Sequence, residues 1–175
     1  LQLFTSSYAT GIRFGPKAEF SLSKYDNGEG WTGGFQSKNA FKDFTFNLDN
    51  RVVGVNPILE MVISGGNSLD HNAQISAGAD NSSLTIVDTV NFSGWGSMSY
   101  SGEINESLIG ANGELNIRVL AEGFTGAAER FAVAYVRVFY PQTTSMQSGQ
   151  NKIFRIDNSV TDKSWIRIQT SDPVN

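Results

Sequence analysis

Hydrophobic residues recur at every second position in several short segments of this chain. In one segment, Phe44, Phe46 and Leu48 alternate with polar residues. Successive side chains of a strand point to opposite faces, so this pattern predicts strands with one buried face. The same pattern predicts two further inward-facing sets, namely Leu59, Met61 and Ile63 in segment 57–64, and Leu115, Ile117, Val119 and Ala121 in segment 114–121.

Segment 131–141, with the sequence FAVAYVRVFYP, is largely apolar at both odd and even positions. A strand that is apolar on both faces needs cover on both, so we expect a strand in the middle of a sheet. Its one charged residue, Arg137, should reach the sheet margin or meet a carboxylate, since an unpaired buried charge is costly. Regular alternation assigns Phe131, Val133, Tyr135, Arg137 and Phe139 to one face and Ala132, Ala134, Val136, Val138 and Tyr140 to the other.

Shorter strand patterns, separated by Gly, Asn and Asp turns, predict an all-β protein. No long amphipathic helix is present, and only segment 103–109 suggests a helical turn. We therefore expect a two-sheet antiparallel β-sandwich, jelly-roll-like, formed by residues 1–175 as a single domain. The remaining predicted strands are segments 11–14, 18–22, 74–77, 84–87, 152–157 and 165–170, while segment 91–100 is typical of an exposed strand or loop.

Composition excludes several classes of function. The net charge is −4 and lysine and arginine do not cluster, which argues against nucleic acid as a partner. The chain has no cysteine, so disulfides, thiolate metal sites and a cysteine nucleophile are excluded. No apolar stretch approaches the roughly 20 residues of a membrane span. We expect no cofactor, with calcium as the one open alternative.

His71 is the only histidine, and it lies in the polar stretch 69–72. A catalytic histidine needs a nucleophile and an orienting group beside it. Polar stretches between strands are mostly surface turns, so we expect His71 at the surface.

A glycine-rich loop at residues 25–35 carries oxygen-bearing side chains. Asp26, Asn27 and Glu29 offer oxygens of the kind that calcium binds. The spacing differs from that of an EF-hand, and acidic glycine-rich turns are common without a metal. Calcium binding by these three residues is a hypothesis beside the simpler interpretation as a turn.

Three aromatic residues are candidates for stacking on sugar rings. They are Trp31, Trp95 and Tyr100, of which Trp95 lies between two glycines and is the best candidate for an exposed ring. The favoured interpretation for the set is still that each ring packs at an edge of the core, with its N–H or O–H group bonded, because large aromatic residues are mostly buried. Trp165 lies in an alternating segment, where packing in the core is favoured.

Four segments together resemble the β-rich N-terminal region of PorU-type peptidases, the type IX secretion sortases related to gingipains. They are 30–35 (GWTGGF), 132–138 (AVAYVRV), 149–154 (GQNKIF) and 164–173 (SWIRIQTSDP). The resemblance implies a β-rich region that precedes a cysteine peptidase domain, with the catalytic cysteine and histidine outside this chain. Ala134 stands where the family has an aspartate, and Ile166 and Arg167 replace its Asp-Val pair.

These observations predict a non-enzymatic accessory or interaction module of a secreted or cell-surface bacterial protein. The chain begins at Leu1, and we expect it to be a piece of a larger protein, for which the resemblance implies a gingipain-related peptidase. The partners would be neighbouring domains of the same polypeptide. The alternative hypothesis is a carbohydrate-binding module with a glycan as its ligand.

Overall fold

A computed structural model describes residues 2–8, 12–13 and 31–143 of the chain, with side chains described for residues 33–143. The described residues are almost all in strands and tight turns, with one turn of 3-10 helix at Glu106–Leu108. The strands in chain order are β1 (Gln2–Tyr8), β2 (Ile12–Arg13), β3 (Trp31–Thr32), β4 (Gln36–Ser37), β5 (Phe41–Asn47), β6 (Ile58–Gly65), β7 (Asp70–Gly78), β8 (Thr85–Ser93), β9 (Ser97–Glu103), β10 (Glu114–Ala121) and β11 (Arg130–Pro141).

Two antiparallel sheets form the body of the protein. One has the order β1-β11-β6-β9, with β4 also paired to β11, and the other has the order β5-β10-β7-β8. The chain crosses between the sheets so that most neighbouring strands, apart from the β7–β8 hairpin, are distant in sequence, which is the jelly-roll arrangement. The predicted fold class, a two-sheet antiparallel β-sandwich that is jelly-roll-like, is confirmed. No helix among the described residues is long and apolar enough to cross a membrane.

The two sheets bury one continuous core between them. The three predicted alternating sets all point into it, since each of their side chains is buried. Val136, Val138 and Tyr140 of β11 complete the middle of the core. Alternation in the sequence therefore identified the inward face of β5, β6 and β10.

Strand β11 departs from the regular alternation that the sequence predicts. Val133 pairs with Ile63 and Tyr135 pairs with Val62, so Ala134 is an extra residue in a β-bulge. The bulge reverses the phase of the strand, because two residues of β11 stand opposite one position of β6. The prediction that one face carries all the odd-numbered residues is therefore wrong: Phe131 and Val133 point inward before the bulge, and Val136, Val138 and Tyr140 point inward after it.

Arg137 meets the carboxylate that the sequence argument requires. Its Nε donates to Oε2 of Glu60 at 2.8 Å. Its guanidinium lies 5.2 Å from the ring centroids of both Tyr135 and Phe139, on the outer face of the sheet. The charge thus stays at the sheet surface while the neighbouring positions of β11 fill the core.

Several predicted boundaries change in the structure. Strands β7 and β8 are longer than segments 74–77 and 84–87, and segment 91–100 contains the end of β8, a tight turn and most of β9. Strand β1 was not predicted, and β2 lies within the predicted segment 11–14. Predicted segments 18–22, 152–157 and 165–170 lie outside the described residues.

Candidate functional site

Four loops meet at one end of the sandwich, which we call the aromatic end. They are residues 33–35, 66–69, 94–96 and 122–129. The strand pairing brings them together, because the start of β7 pairs with the end of β8 and with the end of β10, while the start of β11 pairs with the end of β6 and with β4. Each of these four loops carries one large apolar side chain that is about two-fifths exposed, namely Phe35 (40%), Leu69 (42%), Trp95 (41%) and Phe124 (41%).

Hydrogen bonds between the loops hold the aromatic end together. The amide of Gly94 donates to the carbonyl of Leu69 at 2.8 Å, which joins the second and third loops. Asn67 Nδ2 donates to the carbonyl of Ala128 at 2.9 Å, which joins the second and fourth loops. Lys38 Nζ donates to the carbonyl of Phe124 at 2.6 Å. These bonds reduce the conformational freedom of the loops, so the exposed side chains are presented in a fixed arrangement.

Phe35 is held by a cation–π contact. The guanidinium of Arg130 lies 4.0 Å from its ring centroid. A Cβ atom at Gly66 would lie 2.5 Å from the same ring, so glycine gives the Phe35 ring the room it occupies. Phe35 is therefore packed against Arg130 while 40% of the residue stays exposed.

Trp95 projects from the tight turn between β8 and β9. Gly94 has a φ of +63°, a conformation that L side chains rarely adopt. The carbonyl of Gly96 accepts from the amide of Gly65 at 2.9 Å. The turn is thus tied to the β6–β7 loop on both sides of Trp95. The 41% exposure of Trp95 differs from the core packing that the sequence favoured for the set, and its role as a stacking platform stays a prediction.

His71 is not in a surface turn, contrary to the sequence prediction. It lies on the inward face of β7, and its side chain has 0% exposure, as does that of Glu129. Its Nδ1 is 2.5 Å from Oε1 of Glu129, and its Nε2 is 3.0 Å from the carbonyl oxygen of Gly94. The prediction failed because polar flanking residues suggested a turn, whereas Glu129 supplies the partner that allows a buried imidazole.

Gly65 allows the imidazole and the Trp95 turn to meet. A Cβ atom at Gly65 would lie 1.9 Å from the carbonyl oxygen of Gly94 and 2.6 Å from Nε2 of His71. Both distances are too short for any side chain, since the first involves backbone that cannot move aside. Phe92 packs on the other side of the imidazole, with ring centroids 4.7 Å apart.

Tyr100 occupies the side of the sandwich rather than the aromatic end. It lies on β9 opposite Met61 and packs, half-buried, against the core. Burial, the charge of Asp88 and a hydrogen bond to Asp88 together raise the pKa of Tyr100. Because Asp88 is on β8, this bond links the edge strands of the two sheets. Tyr100 as a stacking platform stays a prediction.

The side chains of the other sequence-predicted site residues lie outside the described part of the structure, although β3 directly precedes the loop 33–35 of the aromatic end. The backbone of Trp31 forms β3, which pairs with β2, and its side chain lies outside the described part. Asp26, Asn27 and Glu29 also lie outside the described residues, so the calcium hypothesis stays a prediction. Among residues 33–143, no cluster of three or more His, Asp or Glu side chains suits a metal ion.

Sequence reasoning identified Trp95 but missed Phe35, Leu69, Phe124 and the His71–Glu129 pair. The three apolar residues lie outside strand patterns, in segments rich in glycine and polar residues. An exposed apolar residue in a turn is a detectable signal. Their convergence depends on the strand order, which one sequence does not reveal.

No protein-family model and no curated relative matches this chain. Among solved structures, it is similar to a carbohydrate-binding module of family CBM36 in complex with calcium and xylotriose, with 15% identity, a TM-score of 0.47, and 77% of this chain and 98% of that chain covered. It is similar to the CBM36-1 domain of a multidomain xylanase from the hindgut metagenome of Trinervitermes trinervoides, with 11% identity, a TM-score of 0.47, and 79% and 96% covered. The Tobacco streak virus coat protein is also similar, with 10% identity, a TM-score of 0.43, and 85% and 91% covered.

Proposed function

We propose that this protein is a non-catalytic binding module whose aromatic end stacks against the sugar rings of a glycan. The observation that carries the proposal is Trp95, which is 41% exposed at the tip of a turn fixed by backbone hydrogen bonds. An indole offers a flat apolar face together with a polar N–H group, which suits the apolar face and hydroxyl rim of a pyranose.

Polar groups stand beside Trp95 to complete such a site. Asp70 and Ser93 flank the turn at the paired ends of β7 and β8, and Ser93 Oγ donates to Oδ1 of Asp70 at 2.7 Å. Both side chains are exposed. Carboxylate and hydroxyl groups next to an aromatic face bind sugar hydroxyls, and they would fix the orientation of a stacked ring.

Several of the described ionisable groups are engaged in internal pairs, which supports a role in binding rather than catalysis. His71 is sealed between Glu129 and Gly94, so its imidazole has no access to a substrate. Three further carboxylates are held in ion pairs with arginine, namely Asp43 with Arg118, Glu60 with Arg137, and Glu106 with Arg51. Carboxylates engaged in this way are poorly placed for the acid–base pair of a glycosidase.

Affinity electrophoresis tests the glycan proposal. We expect retardation of the protein in gels that contain at least one of xylan, mixed-linkage β-glucan, mannan or galactan. Trp95→Ala should remove most of that retardation, because loss of an aromatic platform removes about 1–3 kcal/mol of stacking, by analogy with nucleobases.

Val53→Ala is the matched control for this experiment. Val53 is the most exposed of the large apolar residues, at 73%, and it lies in the β5–β6 connection at the opposite end of the sandwich. Its substitution should leave retardation unchanged. Retardation by none of the four polysaccharides, or retardation that persists in full in Trp95→Ala, would contradict the proposal.

A second candidate function is docking against a neighbouring domain of the same polypeptide. Phe35, Leu69 and Phe124 favour it, since they lack the polar groups of a sugar-stacking residue and together add apolar surface around Trp95. This function agrees with the resemblance to PorU-type peptidases, which stays a prediction, as do a cell-surface location and a larger parent protein.

Calorimetric titration with the adjacent domain of the parent open reading frame tests docking. Binding that is weakened by Phe124→Asp and unaffected by Val53→Asp would support it. Equal binding by both variants would contradict it.

Calorimetric titration with calcium tests the calcium hypothesis, for which Asp26→Ala should abolish any heat of binding.

A further inference from the structure

We propose that His71 is a positioning residue: a buried imidazolium that fixes the Trp95 turn by joining it to the β10–β11 loop. This inference rests on the proposed role of the aromatic end in binding. It assigns a function to a residue pair, His71 and Glu129, that does not itself touch a ligand.

The partners of the imidazole define its protonation. Nδ1 faces a carboxylate oxygen of Glu129 at 2.5 Å, and Nε2 faces the carbonyl oxygen of Gly94 at 3.0 Å. A carbonyl oxygen only accepts hydrogen bonds, and a carboxylate does the same. Both contacts are satisfied together when each ring nitrogen carries a proton, which makes the ring a cation.

The contacts of Glu129 agree with an ionised carboxylate. Its Oε2 accepts from the amide of Asn72 at 3.0 Å, and its Oε1 accepts from the amide of Arg130 at 2.9 Å as well as from His71. Three donors directed at one carboxyl group stabilise the anion. The result is a buried ion pair with every polar atom in use, the condition under which such a pair is tolerated.

Glu129 is the ion-pair partner of the imidazole among the described residues. Phe92 of β8 covers one side of the ring, and Phe131 of β11 packs against Phe92. The carboxylate of Asp70 instead accepts from Ser93, and the guanidinium of Arg130 lies over Phe35. The charge of His71 is therefore balanced by Glu129.

This pair connects two of the four loops at the aromatic end. Glu129 belongs to the loop that carries Phe124, and Gly94 directly precedes Trp95. A Cβ atom at Gly123 would lie 2.8 Å from Cβ of Glu129, so the loop closes tightly over the carboxylate. The imidazolium is thus a rigid link between the Trp95 turn and the Phe124 loop.

Nuclear magnetic resonance of the unmodified protein tests the protonation directly. His71 is the only histidine, so the imidazole signals of the whole chain come from this ring. With ¹⁵N-labelled histidine at neutral pH, we expect both ring nitrogens to carry a proton. A single protonated nitrogen would overturn the proposal, and this measurement does not depend on the folding of any variant.

Fluorescence anisotropy of Trp95 tests the positioning. In a chain with W31F and W165F, Trp95 is the only tryptophan. We expect little nanosecond motion of its indole, and a clear increase of that motion in His71→Phe, which keeps an aromatic ring against Phe92 but loses both hydrogen bonds. Glu129→Gln is the conservative variant: it should remove one ring proton in the resonance experiment and loosen Trp95 partially.

Ile75→Val and Ile75→Ala are the controls for a purely structural role. Ile75 is fully buried on the same strand as His71, and it pairs with Asp88 rather than with the end of β8 next to the turn. These variants should lower the melting temperature without loosening Trp95. An unchanged anisotropy in Glu129→Gln, or equal loosening in the Ile75 variants, would overturn the inference. Neither result uses a glycan, so failure of the glycan proposal is distinguishable from failure here.

Discussion

A hydrogen bond between two side chains joins the two sheets of the sandwich at one edge. Tyr100 on β9 reaches Asp88 on β8, and the two strands are edges of different sheets. Buried or half-buried hydroxyl groups stabilise a fold when they find such a partner. This contact therefore links the two sheets along one edge. The hydrogen bond exists only while the phenol of Tyr100 carries its proton.

The alkaline stability of the protein should depend on Tyr100. Its pKa is raised, so the unfolded chain loses the phenolic proton first, near the usual pKa of about 10. The contribution of Tyr100 is then complete below that pH and is lost as the pH rises through the folded-state pKa. At neutral pH, Tyr100→Phe should cost about 0.5–1.5 kcal/mol, and the cost should shrink above about pH 10. Urea unfolding at several pH values measures this difference; a constant cost would contradict it.

Gly94 should be sensitive to substitution for a conformational reason alone. Its φ is +63°, and an added Cβ atom would meet nothing within 4 Å. Gly94→Ala should therefore cost about 1–2 kcal/mol through backbone strain. The control is Gly34→Ala, where the surroundings are equally open and φ is not positive. Thermal unfolding compares them, and equal melting temperatures would contradict this account.

At the residue scale, the sequence predicted features that follow from neighbouring residues in the chain. It missed those that require a partner residue distant in sequence. The two flanking glycines marked Trp95 as the best candidate for an exposed ring, and the ion pair of Arg137 followed from its apolar surroundings. The burial of His71 did not, because Glu129 is 58 residues away in sequence. A buried imidazole requires a partner, and one sequence does not show which carboxylate supplies it.

At the scale of elements, the β-bulge at Ala134 sets the faces of the longest strand. Without the extra residue, Phe131, Val133, Val136, Val138 and Tyr140 would alternate regularly and still all point inward. The bulge therefore interrupts the regular alternation of inward and outward residues in β11, while every inward residue still reaches the core. Its effect on the sequence pattern explains why the strand was predicted correctly and its faces were not.

Deletion of single residues from β11 should distinguish the bulge from the rest of the strand. Deletion of Ala134 leaves the inward residues in register, so the protein should remain folded with reduced stability. Deletion of Arg137 turns Val138 and Tyr140 outward, so it should prevent folding. Arg137→Ala serves as control for loss of the ion pair with Glu60. Far-UV circular dichroism measures the outcome, and equal stability of the two deletions would contradict the assigned register.

The strands that the sequence found best are those with one buried face. Strands β5, β6 and β10 alternate cleanly, and their inward residues were predicted one by one. Strands β7 and β8 were predicted too short because Asn, Gln, Thr and Asp occupy many of their outward positions and resemble turns. Pairing with neighbouring strands overrides the low strand propensity of those residues.

At the scale of the whole molecule, the two sheets share one core and should unfold together. Leu59 in one sheet and Ile117 in the other are both fully buried in the same cluster. Leu59→Ala and Ile117→Ala should each cost about 2–5 kcal/mol and shift a single transition. Ile86→Ala, at a residue that is 58% exposed on β8, should change stability little. Near-UV and far-UV circular dichroism should coincide in every variant; separate transitions would contradict one shared core.

The fold class was predictable because alternation specifies two-sided sheets and glycine-rich turns specify short connections. The strand order was not, because a jelly roll pairs strands that are distant in sequence, and several orders bury the same residues. For the same reason the sequence did not predict that these four loops meet at the aromatic end. Its first and last loops are far apart in sequence, with 89 positions between Phe35 and Phe124, and only strand order brings such segments together.

The pairing of β1 with β11 has a mechanical consequence. Gln2 lies opposite Pro141, so the outer ends of these two antiparallel strands are side by side. A force applied at those two residues would break the hydrogen bonds between β1 and β11 one after another. A force applied at opposite ends of the two strands would act on all these hydrogen bonds at once. Tension between domains attached at these positions would therefore peel β1 away at low force and leave the remaining strands in place.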